Sequence, residues 1–410
     1  MTSDIHRAVD AVWRIESARI IAGLTRMVRD VGLAEELAQD ALVEALERWP
    51  SAGIPDNPGA WLMATAKRRA IDRFRRLKVL ERKYDELGRE LESQVEPEYD
   101  DQISDDLLRL IFTACHPVLS PEARVSLTLR LLGGLTTDEI ARAFLVPEPT
   151  VAQRIVRAKR TLSAAQVPFE VPEGAELTGR LTSVLEVIYL IFNEGYSATA
   201  GSLWLRPDLC QDALRLGRIL AELAPGEPEV HGLVALMELQ ASRLRARVDP
   251  KGAPILLPDQ NRALWDHLLI RRGLAALARA RRLGQALGPY CLQAAIAACH
   301  ARARTAAETD WSSIAALYDA LAQLTQSPVV ELNRAVALSM AFGPAVGLEL
   351  IDLLTKEPAL REYHLLPSVR GDLLEKLGRL GEARAEYERA ATLARNERER
   401  DLLRQKAARC

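Results

Sequence analysis

The amino-acid sequence predicts an all-α protein, and three observations carry that expectation. Hydrophobic residues make up 48% of the 410 but aromatics only 5%, and the chain is rich in Ala, Leu and Arg, all strong helix formers. Apolar residues recur every three or four positions, the spacing of one helix face, while the alternation of a half-buried strand is scarce. Proline and glycine gather between these runs, at 50–58, 147–149 and 168–174, where one helix ends and the next begins.

A chain of this length holds two or three domains with ample core. Net charge is −2, so there is no global basic signal and the distribution matters more. Residues 67–83 hold nine Lys and Arg against Asp72 and Glu81, whereas residues 84–106 hold ten Asp and Glu against Arg89 alone. Blocks so polarised predict a basic surface followed by an acidic, flexible linker. The five cysteines (Cys115, Cys210, Cys291, Cys299, Cys410) make no Cys-x-x-Cys pair and are expected to be reduced and mostly buried. Cys115-His116 and Cys299-His300 have the residue types of a metal site without its spacing, so no metal and no cofactor is expected. The N-terminus lacks an apolar signal core, and no run approaches the roughly 18 apolar residues of a membrane span, which points to the cytoplasm.

Residues 5–30 read as an amphipathic helix with Ile5, Val9, Val12, Ile15 and Ile20 on its apolar side, ended by Gly32. A second helix, 33–49, turns Leu37, Ala41, Leu42, Ala45 and Leu46 inward and exposes an acidic face of Glu35, Glu36, Gln39, Asp40, Glu44 and Glu47. Such a face is either simply solvated or a docking surface for a basic partner. After a proline-rich loop comes a third helix, 60–77, with Leu62, Ala66, Ala70, Phe74 and Leu77 inward. Trp61, Thr65, Arg68, Arg69, Asp72, Arg75 and Arg76 lie on its other sides. Arginines hold phosphates and an indole gives an unpaired base a stacking surface, so this helix suits melted DNA. An ordinary core anchor accounts for Trp61 equally well.

Residues 135–162, LTTDEIARAFLVPEPTVAQRIVRAKRTL, read as two helices and a tight turn. Thr136 or Thr137 caps the first, with Glu139 in its first turn and Ile140, Ala141 and Phe144 inward. Pro147 and Pro149 are tolerated only at the start of the second. That helix carries Val151, Ile155 and Leu162 on one stripe and Gln153, Arg154, Arg157 and Lys159 on or beside the opposite one. The pattern is that of a helix-turn-helix, whose second helix enters the major groove, although Leu145 stands where a glycine is often found. A helical hairpin with a basic solvent face gives the same spacing.

Taken in order, EELAQDALVEALERW, NPGAWLMATAKRRAIDRFRR, the acidic linker and this helix pair resemble regions two and four of a bacterial RNA polymerase sigma factor of the extracytoplasmic-function group, over about residues 5–165. The resemblance implies that the acidic helix docks on the largest polymerase subunit, with Glu35, Glu36, Gln39, Asp40 and Glu44 on the docking face. It implies that Trp61, Lys67, Arg68, Asp72, Arg75 and Arg76 open and read the minus-ten promoter element. Thr150, Gln153, Arg154, Arg157 and Lys159 would meet the minus-thirty-five element, where Arg can bond guanine and Gln adenine. The linker would thread the polymerase's positively charged interior.

Beyond Pro168, Pro172 and Gly174 lie some 235 residues that a minimal sigma factor lacks. Residues 177–194 form a long apolar helix that Asn193, Glu194, Gly195 and Tyr196 end in a polar turn. Further helices are expected at 207–224, 227–246, 260–283, 289–305 and 308–325. The intervening stretch RVDPKGAPILLPDQN brings Asp249, Asp259, Gln260, Asn261, Arg262, Trp265 and Asp266 together. It reads as a loop pinned by its own hydrogen bonds, with Asp259, Asn261, Arg262, Trp265 and Asp266 as the alternative regulatory or interface site. No nucleophile, metal cluster or phosphate loop accompanies these acids, so no catalysis is expected.

Segments 310–321, 343–354 and 381–393 recur at intervals of about 33–38 residues, each after an Ala/Leu-rich helix (291–305, 329–341 and 365–378). The last, in LLEKLGRLGEARAEYERA, has the small and aromatic positions of a tetratricopeptide repeat, and such helix pairs stack into a solenoid whose concave face binds peptides or other domains. FNEGYSAT, DQNRALWD and SPVVELNRAVAL resemble the extension on one subgroup of these sigma factors, and the resemblance implies control of sigma activity. The expected division is 1–83 and 107–166 for the two sigma regions, 84–106 for the linker, 167–290 for a helical extension and 291–410 for the repeats. Expected partners are core RNA polymerase, promoter DNA and a peptide or protein on the repeats, with no membrane. Two other readings use the same residues: a helix-turn-helix regulator that needs no polymerase, and a repeat scaffold whose sigma-like half has decayed.

Overall fold

The computed structural model describes residues 2–78, 101–144, 146–198, 201, 203–250, 252–284 and 287–410. These residues form eighteen α-helices and no strand, in two compact units, Met1–Ile188 and Tyr189–Cys410. None of the described helices is long and apolar enough to cross a membrane.

The first unit opens with α1 (Thr2–Val28), α2 (Val31–Ala52) and α3 (Pro58–Lys78), each packed on the other two. Fully buried Ala34, Ala38, Ala41, Ala45, Ala66 and Ala70 keep the seams thin enough for the axes to approach closely. Arg29, at φ 56°, turns the corner, and Asp30 caps α2 by accepting the Leu33 N–H at 2.7 Å. Gly32 therefore lies inside α2 rather than ending α1. The helix also runs past Trp49, through Pro50, and stops at Gly53, where φ is 82°. Asn57 starts α3 by accepting the Ala60 N–H at 3.0 Å.

Next come α4 (Asp101–Ala114), α5 (Pro121–Leu131), α6 (Thr137–Phe144) and α7 (Glu148–Ala164). Residues 79–100, most of the acidic stretch, lie outside the described residues, and Asp101 already begins α4. Thr136 and Glu139 cap α6 reciprocally: the Thr136 N–H reaches Glu139 Oε2 at 2.8 Å, and the Glu139 N–H reaches Thr136 Oγ1 at 3.1 Å. Leu145 lies outside the described residues.

The start of α8 (Gly174–Tyr196) packs on the α4–α5 corner. Arg180 donates to the Phe112 carbonyl at 3.0 Å, and Ser183 to the Cys115 carbonyl at 2.6 Å. Arg124 donates to Ser183 and pairs with Glu186 at 3.1 Å. Residues 174–188 thus belong to the first unit, although they follow the proline-rich loop.

In the second unit α8 continues through Asn193–Tyr196, where a polar turn is expected from sequence. Gly195 serves close packing there, because a Cβ would lie 2.7 Å from the Cys210 backbone nitrogen. α9 (Pro207–Leu223) and α10 (Pro228–Ala241) follow, and the expected helix from 260 begins only at α11 (His267–Arg282). The residues before it form two single turns, Leu257–Asp259 and Arg262–Leu264. Three helix pairs come next: α12 (Pro289–Arg302) with α13 (Trp311–Thr325), α14 (Pro328–Phe342) with α15 (Pro344–Leu354), and α16 (Leu365–Lys376) with α17 (Leu380–Leu393). A closing helix, α18 (Glu397–Arg409), completes the unit. Leu332, Leu348, Ile351, Leu373, Tyr387 and Leu403 share one buried cluster across α14–α18, so neighbouring pairs have a common core. The pairs are tight: a Cβ on Gly371 would lie 2.9 Å from the Tyr387 ring. Asn396, wholly buried, ties the end of the chain to the segment after α8, donating to the carbonyls of Ala198 at 3.1 Å and Leu203 at 2.9 Å.

Candidate functional site

The helical periods of α2 and α3 set their charged edges side by side. Glu36 pairs with Arg73 at 3.0 Å, Asp40 with Arg69 at 3.6 Å, and Glu44 with both Arg69 and Arg48 at 3.0 Å. A groove of about 570 Å³ runs between the helices, lined by Asp40 and Glu44 together with Thr65, Arg68 and Asp72. The acidic face of α2 and part of the basic face of α3 are therefore one charge ladder. Arg68, Asp72 and Arg75 stand exposed beyond it, Arg68 donating to Thr65 Oγ1 at 3.2 Å. Lys67 is half-buried, and burial together with the Arg26 charge lowers its pKa. Trp61 is half-buried at the start of α3, its ring set edgewise to buried Trp49 at 5.4 Å. It serves as an anchor and keeps an open side. The side chain of Arg76 is outside what the structure describes.

On α7, Val151, Ile155, Ala158 and Leu162 are buried, the expected inward stripe with one alanine added. Gln153 and Arg157 are exposed, and Thr150 and Arg154 are partly so. These four lie on the side of α7 away from its buried stripe. Lys159 does not. It pairs with Glu35 of α2, which also takes Arg130 of α5 at 2.7 Å and accepts from Gln39 at 2.5 Å. Glu35 is only 3% exposed, so its expected place on the solvent face of α2 is corrected. Sequence reasoning missed Arg130. The available signal was that Glu35 stands seven residues before Leu42, on the edge of the stripe assigned to the core.

In the second unit the candidate residues serve local structure. Asn261 accepts the Ala263 N–H at 3.0 Å, and Asp266 caps α11 through Leu268 and Leu269 at 2.9 and 3.1 Å. Arg262 donates to the carbonyls of His300 and Ala303 at 2.5 and 2.8 Å and lies 4.5 Å from the ring of buried Trp265. Asp259 is exposed at the end of a single turn. The stretch is held partly by its own hydrogen bonds, the Ala253 N–H to Asp249 Oδ1 at 2.8 Å and Gln260 to the Ile255 carbonyl at 3.1 Å, and partly by Arg262 on the end of α12.

Comparison with known proteins agrees with these two halves. Residues 15–79 match Sigma-70 region 2, residues 109–162 match Sigma-70 region 4, and residues 180–281 match DUF6596, a family of unknown function. Uncharacterized protein R00370 of Rhizobium meliloti (strain 1021) is 44% identical over 94% of this chain and 91% of its own length. The probable ECF RNA polymerase sigma factor SigI of Mycobacterium tuberculosis is 29% identical over 40% of this chain and 58% of its own length. The ECF RNA polymerase sigma factor SigK of Mycobacterium sp. (strain KMS) is 28% identical over 36% and 77%. No solved structure matches the chain significantly.

Proposed function

Because the chain belongs to the extracytoplasmic-function group of RNA polymerase sigma factors, with a helical extension that matches DUF6596, we propose a division of labour among its surfaces. Glu36, Gln39, Asp40 and Glu44 dock core polymerase, joined by Glu35 once it is released from α7. Trp61, Lys67, Arg68, Asp72, Arg75 and Arg76 open and hold the minus-ten element. Thr150, Gln153, Arg154 and Arg157 read the minus-thirty-five element from the major groove, with Lys159 on its backbone. The polymerase supplies the chemistry, in the cytoplasm where promoter DNA lies, and residues 189–410 adjust the activity through a peptide or protein held on the helix pairs.

The observation that carries this reading is the charge ladder between α2 and α3. A regulator that binds duplex DNA alone has no use for an acidic helix edge running beside a basic one. The test is a pull-down of the purified full chain with core RNA polymerase, alongside an Asp40→Lys/Glu44→Lys variant. The unaltered chain is expected to be retained, and the charge reversal to weaken retention by about tenfold or more, since like charges at a docking face repel. Equal retention of both proteins, or of neither, would sink the assignment.

A further inference from the structure

We propose that the second unit holds a binding site for a small oxyanion, the carboxylate or phosphate group of a ligand, with Arg243 as the cation that receives it. The proposal goes beyond the sigma-factor reading and does not depend on it.

Four arginines are buried among the described residues: Arg124, Arg180, Arg243 and Arg247. A guanidinium taken out of water is tolerated when an opposite charge accompanies it. Arg124 pairs with Glu186 at 3.1 Å, and Arg180 with Glu176 at 3.0 Å. Arg243 and Arg247, which follow the last turns of α10, pair with no carboxylate among the described residues.

Arg247 has a structural use that offsets part of this cost. It donates to the Tyr196 carbonyl at the end of α8, where the helix dipole is negative. Its guanidinium also lies 3.5 Å from the centre of the Tyr196 ring and 4.4 Å from that of Trp204. Arg243 has no such arrangement. It stands 5.9 Å from the ring centres of both Tyr196 and Trp265, at the outer limit of a cation–π contact with either. Its side-chain hydrogen bond goes to Gln240, a neutral partner in the last turn of α10, and its Nε is buried without a partner. The indole N–H of Trp265 is a second buried donor with no acceptor. Buried polar groups are nearly always satisfied, so two such donors beside an unpaired cation leave a place for an anion.

The surroundings feel the uncompensated charge. Burial, and then the charges of Arg243 and Arg262, push the His300 pKa down to about 4. Arg262, 4.5 Å from the Trp265 ring, has its own pKa lowered by burial and by Arg243. A pocket of one sign with low-dielectric aromatic walls, around a guanidinium only 8% exposed, concentrates negative charge. The ligand group is an oxyanion because the edge of a guanidinium carries two parallel N–H donors, which match two oxygens of one carboxylate or phosphate and are wasted on a halide.

Thermal melts of the full chain followed by circular dichroism test this, with sodium phosphate or sodium acetate up to about 50 mM exchanged for sodium chloride at matched ionic strength. At least one of the two should raise the melting temperature saturably, by about 3–6 °C when it reaches about ten times its Kd. A rise with phosphate alone identifies a phosphate group, and a rise with acetate identifies a carboxylate. Arg243→Met removes the buried charge at similar volume, so in chloride it should melt no lower than the unaltered chain and should lose the rise. Arg243→Lys keeps the charge without the fork and should need about tenfold more anion for the same rise. The site is overturned by the absence of a saturable rise with either anion, by an equal rise in Arg243→Met, or by an unchanged half-saturation in Arg243→Lys. An Arg243→Met chain that fails to fold, or melts more than about 4 °C lower in chloride, would make Arg243 a structural residue and overturn it too.

Discussion

Cutting the chain at Ala165, where the sequence suggests the sigma-like part is complete, should produce a damaged protein, and the damage can be sized. The cut removes the first turns of α8 from the α4–α5 corner. Arg180 to the Phe112 carbonyl at 3.0 Å and Arg124 to Ser183 are bonds from charged donors, and Ser183 to the Cys115 carbonyl at 2.6 Å is a neutral one. Charged hydrogen bonds contribute about 1.5–3 kcal/mol each and neutral ones about 1, giving roughly 4–7 kcal/mol. Glu186, which pairs with Arg124, is 49% exposed and adds almost nothing. Water will reach part of the uncovered surface, so the lower end, about 4 kcal/mol, is the fair expectation. At about 2–4 °C per kcal/mol for a domain of this size, a 1–165 fragment should melt about 8–16 °C below a 1–188 fragment. Thermal melts followed by circular dichroism on the two fragments measure the difference. Fragments that melt within about 2 °C of each other would refute the account of α8 as part of the first unit. The point has a practical edge, because lost transcription by a 1–165 fragment would otherwise be taken to show that the extension is required.

Two further outcomes are expected. Arg154→Ala and Arg157→Ala should weaken binding to duplex carrying the upstream element, each lowering the slope of log affinity against log salt by about 0.9 where the residue holds a phosphate. Where the residue reads guanine instead, the loss is about 1–3 kcal/mol and confined to the cognate sequence, while a merely structural hairpin would leave both quantities unchanged in fluorescence-anisotropy titrations. The second outcome concerns His300, whose pKa burial and the nearby Arg243 and Arg262 push down to about 4, with its ring set edgewise on Trp311 at 5.2 Å. The unfolded chain takes up that proton first as the pH falls, so this stabilisation is complete above about pH 6.5 and is lost between there and pH 4, by about 3 kcal/mol in all. Urea melts of the full chain and of His300→Gln across that range should diverge accordingly, and parallel curves would contradict the burial argument.

Much of the fold was legible because helices with regular stripes announce themselves. The inward residues of α7 and the three repeat pairs follow directly from spacing. What sequence missed were places where backbone chemistry overrode composition. Gly32 looked like a terminator, but Asp30 and the left-handed Arg29 make the corner two residues earlier. Asn193–Tyr196 looked like a turn because it is polar, whereas Gly195 is there for close packing on Cys210 and the helix runs on. The candidate site was legible as a set of residue types and less so as a set of exposures. Glu35 and Lys159 are 124 positions apart, and no local pattern says that they meet. Asn396, which joins the two ends of the second unit, was invisible for the same reason.

The charge accounting also explains how docking and DNA binding are coupled on the proposed reading. Glu36, Asp40 and Glu44 are already engaged by Arg73 and Arg69, and Glu35 by Arg130 and Lys159. A basic partner surface that takes these acids therefore exchanges ion pairs instead of creating them, and the net gain per pair is small. What the exchange releases matters more. Arg69 and Arg73 lie on the same helix as exposed Arg68 and Arg75, and once freed from α2 they extend that basic edge. Lys159, freed from Glu35, rejoins Arg154 and Arg157 on α7. Polymerase docking would thus raise the positive charge of both DNA-facing helices at the moment the promoter is presented, and in its absence the same arginines and lysine are held by acids of this chain.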